Sequence, residues 1–244
     1  MRDEPATLDA AAIASAYREL RGKIARDPLF ADDADDQGVS LDELDRRMQQ
    51  APPRIASADE LYRWLDGADP YRYAGLLVLE RAMGGGPAEQ LTGRATVPEA
   101  TARIARGDLA IDGDLVLEAG AMLVVLGKLA VTGALVGAEF DYTLVAAREI
   151  ACARGMTGGE LIASERIAVP GEFYFAGNDY SARAPRYEGG LLVDFERANA
   201  FTHVAVERRL TAWSFEDAAT ALGVATDRDL ASAYHAKLLT PRAA

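Results

Sequence analysis

The side chains that most often carry chemistry are scarce in this chain. It holds two histidines, His203 and His235, and one cysteine, Cys152. A catalytic zinc centre usually takes three protein ligands, and these side chains cannot supply the usual set without carboxylates. His203 sits in the strand-like run Phe-Thr-His-Val and His235 in an apolar helical stripe. In such settings an imidazole packs or is solvated more often than it serves as a base. The sequence contains no G-x-S-x-G, no G-x-x-x-x-G-K-[ST] and no C-x-x-C. Carboxylate pairs are plentiful, but none stands out from an acidic surface. No catalytic residue is assigned, and the expectation is a protein that is not an enzyme.

One acidic stretch has a spacing that could hold a cation. Residues 27 to 45 carry eight acidic side chains and no basic one. With Glu43 set as the bidentate twelfth ligand, Asp32 takes position one and Asp36 position five, and the stretch resembles a calcium-binding EF-hand loop. It departs from that pattern at position three, Ala34, and at position six, Gln37, where the sharp turn needs glycine. The competing reading is a solvated acidic loop ending in a helix cap at Ser40. Calcium is the one cofactor with candidate ligands; otherwise none is expected. A second candidate site is aromatic. Phe173, Tyr174, Phe175, Tyr180 and Tyr187 gather where the surrounding repeat breaks, and aromatics on an irregular loop are enriched at recognition surfaces. They could equally pack against the carboxy-terminal helices.

The repeat itself positions everything else. Aliphatic residues recur every six positions at Ile111, Leu117, Leu123, Leu129 and Leu135, and after a slip at Leu144, Ile150, Met156, Ile162, Ala168 and Tyr174. Over this beat lie four similar pentads, GDLAI (107–111), GKLAV (127–131), REIAC (148–152) and ERIAV (165–169), spaced 20, 21 and 17 residues apart. Short β-rich pieces at a period near twenty are the signature of a β-solenoid, whose coils must stack to share one core. Strand-like runs at Gly190–Phe195 and Thr202–Arg208 add further coils, for about four to six in all. Cys152 falls at an inward position and reads as a small buried hydrophobe.

Helices flank the repeat. Ile13, Tyr17, Leu20 and Ile24 share one helical face, and Pro28 ends that helix. Capping boxes at Ser40–Glu43 and Ser57–Glu60 open two more, and Asp69-Pro70 opens a fourth that runs to Met83. A last short helix is expected over 98–105. After the repeat, Ser214–Asp217 and Thr226–Asp229 open two helices. The expected organisation is therefore α+β: residues 1–106 a helical region covering one end of the solenoid, 107–209 a short-coil β-solenoid, and 210–244 a helical cap on its other end.

The strand–turn pieces of residues 107–176 resemble those of bactofilins, the bacterial polymer-forming cytoskeletal β-solenoids. That resemblance implies self-association through exposed coil ends and assigns a role to no individual residue. The six-residue beat is also similar to that of hexapeptide-repeat acyltransferases and γ-type carbonic anhydrases, which implies a catalytic histidine or a three-histidine zinc site.

Composition narrows the partners. The 26 basic and 38 acidic residues give a net charge of −12, a field that repels phosphate backbones and anionic membranes and favours cationic proteins. No nucleic acid and no membrane partner is expected. The acidic opening MRDEPATLDA is unlike a signal peptide, and with a single cysteine the expected location is cytoplasmic. The leading expectation is a non-catalytic solenoid that binds a protein partner, as an acidic immunity or antitoxin-like protein holds a basic toxin. The alternatives are a self-assembling scaffold of the bactofilin kind and a hexapeptide-repeat-type transferase.

Overall fold

The structure is a computed structural model and describes residues 6–31, 39–55, 57–65, 69–138, 141–176, 182–194, 199–211, 215–225 and 229–240. Its centre is a parallel β-solenoid of about six turns. The early coils have one strand per side: β3 (Glu89–Thr92), β4 (Ala95–Val97) and β5 (Ala102–Ala105), then β6 (Leu109–Asp112) and β7 (Leu115–Leu117). Later strands bend through the corners and run on: β8 (Met122–Val136), β9 (Leu144–Thr157), β10 (Glu160–Phe175), β11 (Ala182–Val193) and β12 (Ala200–Leu210). Coils pair in parallel, and the β8–β9, β9–β10 and β10–β11 pairs shift register between the sides. One inward row passes through Glu89, Leu109, Leu129, Ile150, Ile167, Tyr187 and Val204.

The pentads form one side of this prism. Their aliphatic positions are buried in the shared core, while Lys128, Glu149 and Arg166 point out, the alternation a strand with one wet face requires. The Gly-Asp steps make the corners. Asp108 Oδ1 accepts the backbone N–H of Lys128 at 2.8 Å in the next coil, and Asp114 Oδ1 that of Ala134 at 2.9 Å. A Cβ at Gly127 would lie 2.3 Å from Asp108 Oδ1, so glycine there is what lets the carboxylate reach the backbone above.

Helices cover the other two sides rather than the ends. The amino-terminal helices are α1 (Ala10–Ile24), α2 (Pro28–Ala31), α3 (Leu41–Gln49), α4 (Ala58–Leu65) and α5 (Asp69–Met83), with the short pair β1 (Ala6–Thr7) and β2 (Arg54–Ile55). They share one core with the outward residues Met122, Val124, Leu126, Leu144, Ala146 and Ile162 of the solenoid. The carboxy-terminal helices α6 (Phe215–Leu222) and α7 (Leu230–Leu239) lie over Ala134, Val136, Met156, Tyr174 and Val193 on a second side. The expected end caps are thus lateral layers. The physical reason is that strands on these two sides carry apolar residues on both faces, and a strand buried on both faces needs a second layer.

Polar groups fix the seating of the first layer. Arg72 of α5 makes a two-pronged ion pair with Glu160 of β10, both contacts 2.5 Å long, with side-chain exposures of 6% and 0%. Fully buried Arg183 of β11 donates to the carbonyl of Leu29 on α2. The carboxylate of Glu80 accepts from the Ser164 hydroxyl at 2.8 Å.

Three other expectations change. The first coil opens at Glu89, ahead of the boundary at 107. The helix expected over 98–105 is a turn and strand β5: Ala100 has a left-handed φ of 54°, and Ala102–Ala105 pair with Met122–Val125. Helix α7 is capped by Asp229, which accepts the N–H of Ser232 at 2.9 Å; Thr226 lies outside the described residues. No helix among the described residues is long and apolar enough to cross a membrane.

Candidate functional site

The two ends of the solenoid are built differently, and the inward rows show how. At the first coil two rows end on charged side chains. Glu89 tops the row of Leu109 and Leu129, and Arg103 tops the row of Leu123, Val145, Leu161 and Ala182. The two side chains form an ion pair, placing a polar bridge over the mouth of the core. Charge at an open edge is a standard device against further strand pairing.

The last coil ends otherwise. Val204 continues the row of Tyr187, Val206 pairs with Gly189, and Phe201 pairs with Ala184. These positions belong to the core, but no coil follows among the described residues. Val204 is 37% exposed, one of two large hydrophobic residues so exposed among the described residues. Phe201 and Val206 are half-buried against the core, with the Phe201 ring 5.1 Å from that of Tyr187. One corner is polar: Arg209 pairs with buried Asp194 at 2.6 Å. Among the described residues strand β12 pairs only with β11, so one edge of this eleven-residue strand has no strand neighbour among them. An exposed edge of that length and apolar content is a template for another strand.

Along the uncovered pentad side runs a ladder of ion pairs. Glu149 holds Lys128 at 2.7 Å and Arg166 at 2.9 Å, and Arg166 reaches Glu188 at 3.6 Å. The Arg166 hydrogen bond leads in holding the Glu149 carboxyl below its ordinary range. These pairs are partly solvated, so each contributes little alone. Their effect is to keep this side wet.

The aromatic candidates do not form a surface. Phe173 and Phe175 lie inside the solenoid, their ring centroids 4.8 Å apart. Tyr187 is fully buried beside Phe201, and Tyr174 points outward under α7 with its ring 6.3 Å from Tyr234. Large rings at core positions bury far more apolar area than a loop would, so these four are packing residues. Tyr180 lies outside the described residues.

Of the cation candidates, Asp32 and Asp36 also lie outside the described residues. Glu43 sits in the first turn of α3, where Ser40 Oγ accepts its N–H at 3.1 Å. Its carboxylate bridges Arg46 at 2.5 Å and Arg47 at 2.7 Å, and the Arg46 hydrogen bond is the main cause of its lowered pKa. Its charge is already matched by the helix that it starts. No cluster of three or more potential metal ligands occurs among the described residues.

His203 is exposed on β12, and half-buried His235 lies on α7 over another side. Cys152 is buried, and desolvation pushes its thiol up to about 12, which keeps it an unreactive neutral thiol. The residues that sequence reasoning missed are Phe201, Val204 and Val206. The signal was present in the alternation of Phe-Thr-His-Val-Ala-Val, which continues the inward rows past the last pentad.

No family model, curated protein or solved structure matches the chain. The class is therefore defined by architecture: a parallel β-solenoid with helical layers on two of its three sides, one end bridged by an ion pair and the other ending in a strand whose outer edge has no partner among the described residues.

Proposed function

We propose that the protein is a non-catalytic structural scaffold that assembles with a second copy of itself through the last coil of its solenoid. The observation that carries this reading is that Phe201, Val204 and Val206 occupy core rows with no coil above them among the described residues. Two β12 strands running antiparallel about a two-fold axis at Ala205 would set Val204 against Val206 and His203 against Glu207. An isologous contact of this kind closes on itself. Stacking the last coil on a first coil would instead bury Glu89 and Arg103, and desolvating that pair opposes head-to-tail growth. The reading retains the self-association implied by the likeness to bactofilins and restricts it to one end. Light scattering on sized protein tests it: a discrete dimer is expected, and a monomer at high micromolar concentration would contradict it.

A second reading is capture of a cationic protein, of the kind an immunity or antitoxin protein performs, and it is supported by the net charge of −12. Salt-sensitive binding to a basic partner is its signature. Binding unchanged between low and high salt would refute it.

A further inference from the structure

The amino-terminal helical layer contains a feature at odds with the acidic chain. Between α3, β2 and α4 lies a groove of about 490 Å³ lined by Arg46, Arg47, Arg54 and Arg63, with Trp64 in its wall and Glu60 on its margin. Four guanidinium groups line it; with Glu60 in the lining and Glu43 paired to Arg46 and Arg47, the groove keeps an excess of positive charge in a molecule of net charge −12.

The four arginines are not equivalent. Arg46 and Arg47 share Glu43; Arg46 also donates to Gln50 Oε1 at 3.1 Å. Arg47 donates to the Trp64 carbonyl at 3.3 Å, and its guanidinium lies 5.0 Å from the centre of the Tyr71 ring. The Trp64 indole N–H returns a bond to the Arg47 carbonyl at 3.0 Å. This network fixes one wall of the groove. Arg54 and Arg63 are exposed and have no carboxylate partner among the described residues; Arg63 Nε only donates to the Asp59 carbonyl at 3.2 Å. Pro52 and Pro53 stiffen the chain between the walls.

We propose that this groove is a binding site for a small phosphorylated ligand carrying at least two negative charges, gripped by Arg54 and Arg63 against the wall held by Arg46 and Arg47. Guanidinium forks match the geometry of phosphate oxygens and are weakly hydrated, which favours them over lysine at such sites. The volume suits a small molecule. The ligand's charge would also offset the mutual repulsion of the arginines.

The test is calorimetric titration of the full chain with pyrophosphate, ADP and inorganic phosphate, and with citrate and an oligoglutamate peptide as carboxylate comparators. Saturable, one-to-one binding of pyrophosphate or ADP is expected. Arg54→Gln and Arg63→Gln should each weaken it by about tenfold or more, since a hydrogen bond to a charged group contributes roughly 1.5–3 kcal/mol. Both side chains are exposed, so the circular dichroism and thermal midpoint of the variants should match the parent, which separates lost binding from lost fold. Inorganic phosphate should bind more weakly, because it spans less of the groove. The proposal is overturned by no saturable phosphate binding at millimolar concentration, by binding that survives both substitutions, or by preference for citrate or oligoglutamate.

Discussion

Replacing Arg72 by methionine is a stringent test of how the helical layer is seated. The substitution keeps most of the side-chain volume but removes the guanidinium from Glu160, whose side chain is 0% exposed. It also removes the cation from beside the Tyr62 and Tyr142 rings, which lie 5.6 and 5.9 Å from it. Leaving one member of a buried pair without its partner costs about 3–5 kcal/mol. For a chain of this size each kcal/mol shifts the midpoint by roughly 2–4 °C, so the expected fall is roughly 6–20 °C. The double variant Arg72→Met with Glu160→Leu removes both charges and should recover most of that loss, because an apolar replacement of a buried pair is often neutral or better. Urea unfolding of the four members of this cycle gives the coupling directly. A single Arg72→Met that loses less than about 1 kcal/mol would mean that this ion pair does not hold α5 on β10.

Three further outcomes follow from individual contacts. Burial is the main reason that the Glu80 carboxyl is raised to about 7, and the Ser164 hydrogen bond and Arg148 oppose it. Between about pH 4.5 and 7 the folded state binds more protons than the unfolded one, so this group's contribution to stability falls as pH rises through that window. Glu80→Gln should flatten that part of the stability profile and raise stability at pH 8; an unchanged profile would contradict the assignment. Gly155→Ala would place a Cβ 2.4 Å from the Leu135 carbonyl oxygen in the adjoining coil, and a loss of about 1–3 kcal/mol is expected in urea unfolding because backbone must shift to admit it. Ser40→Ala removes the cap of α3 and should lower stability by about 1 kcal/mol, read as a fall in thermal midpoint with the secondary structure retained.

The sequence made the solenoid legible through its pentads, because on their side alone one strand face is wet and charge alternates with aliphatic residues. The other two sides were harder to read. Runs such as Met122–Leu126 and Thr143–Ala147 carry no charge, so their outward residues cannot be told from inward ones by period. The six-residue beat shows the confusion: Ile111 to Leu135 mark the interior, but Leu144, Ile162, Met156 and Tyr174 point outward beneath helices. The helices were found from their stripes and caps, yet nothing in a stripe says whether it covers an end or a side. Glu160 and Arg183, charges set in apolar runs, were the available sign of a second layer. The first coil was missed because Glu89 stands at the aliphatic position in register with Leu109 and Leu129, which erases the pentad that would have announced it, and Arg103 breaks a second inward row. The candidate site at the last coil was hidden for the opposite reason: its residues look like ordinary core.

The central claim, association through the last coil alone, is tested most directly by sedimentation velocity across a wide concentration range, comparing the parent chain with Val204→Lys. Val204 is 37% exposed, so the lysine head can reach water in the monomer but would be trapped in a β12–β12 contact. The account predicts a parent that moves from monomer to a single dimer species, and a variant that stays monomeric with an unchanged thermal midpoint. A parent that remains monomeric, grows into fibres, or dimerises equally well with lysine at 204 would contradict it.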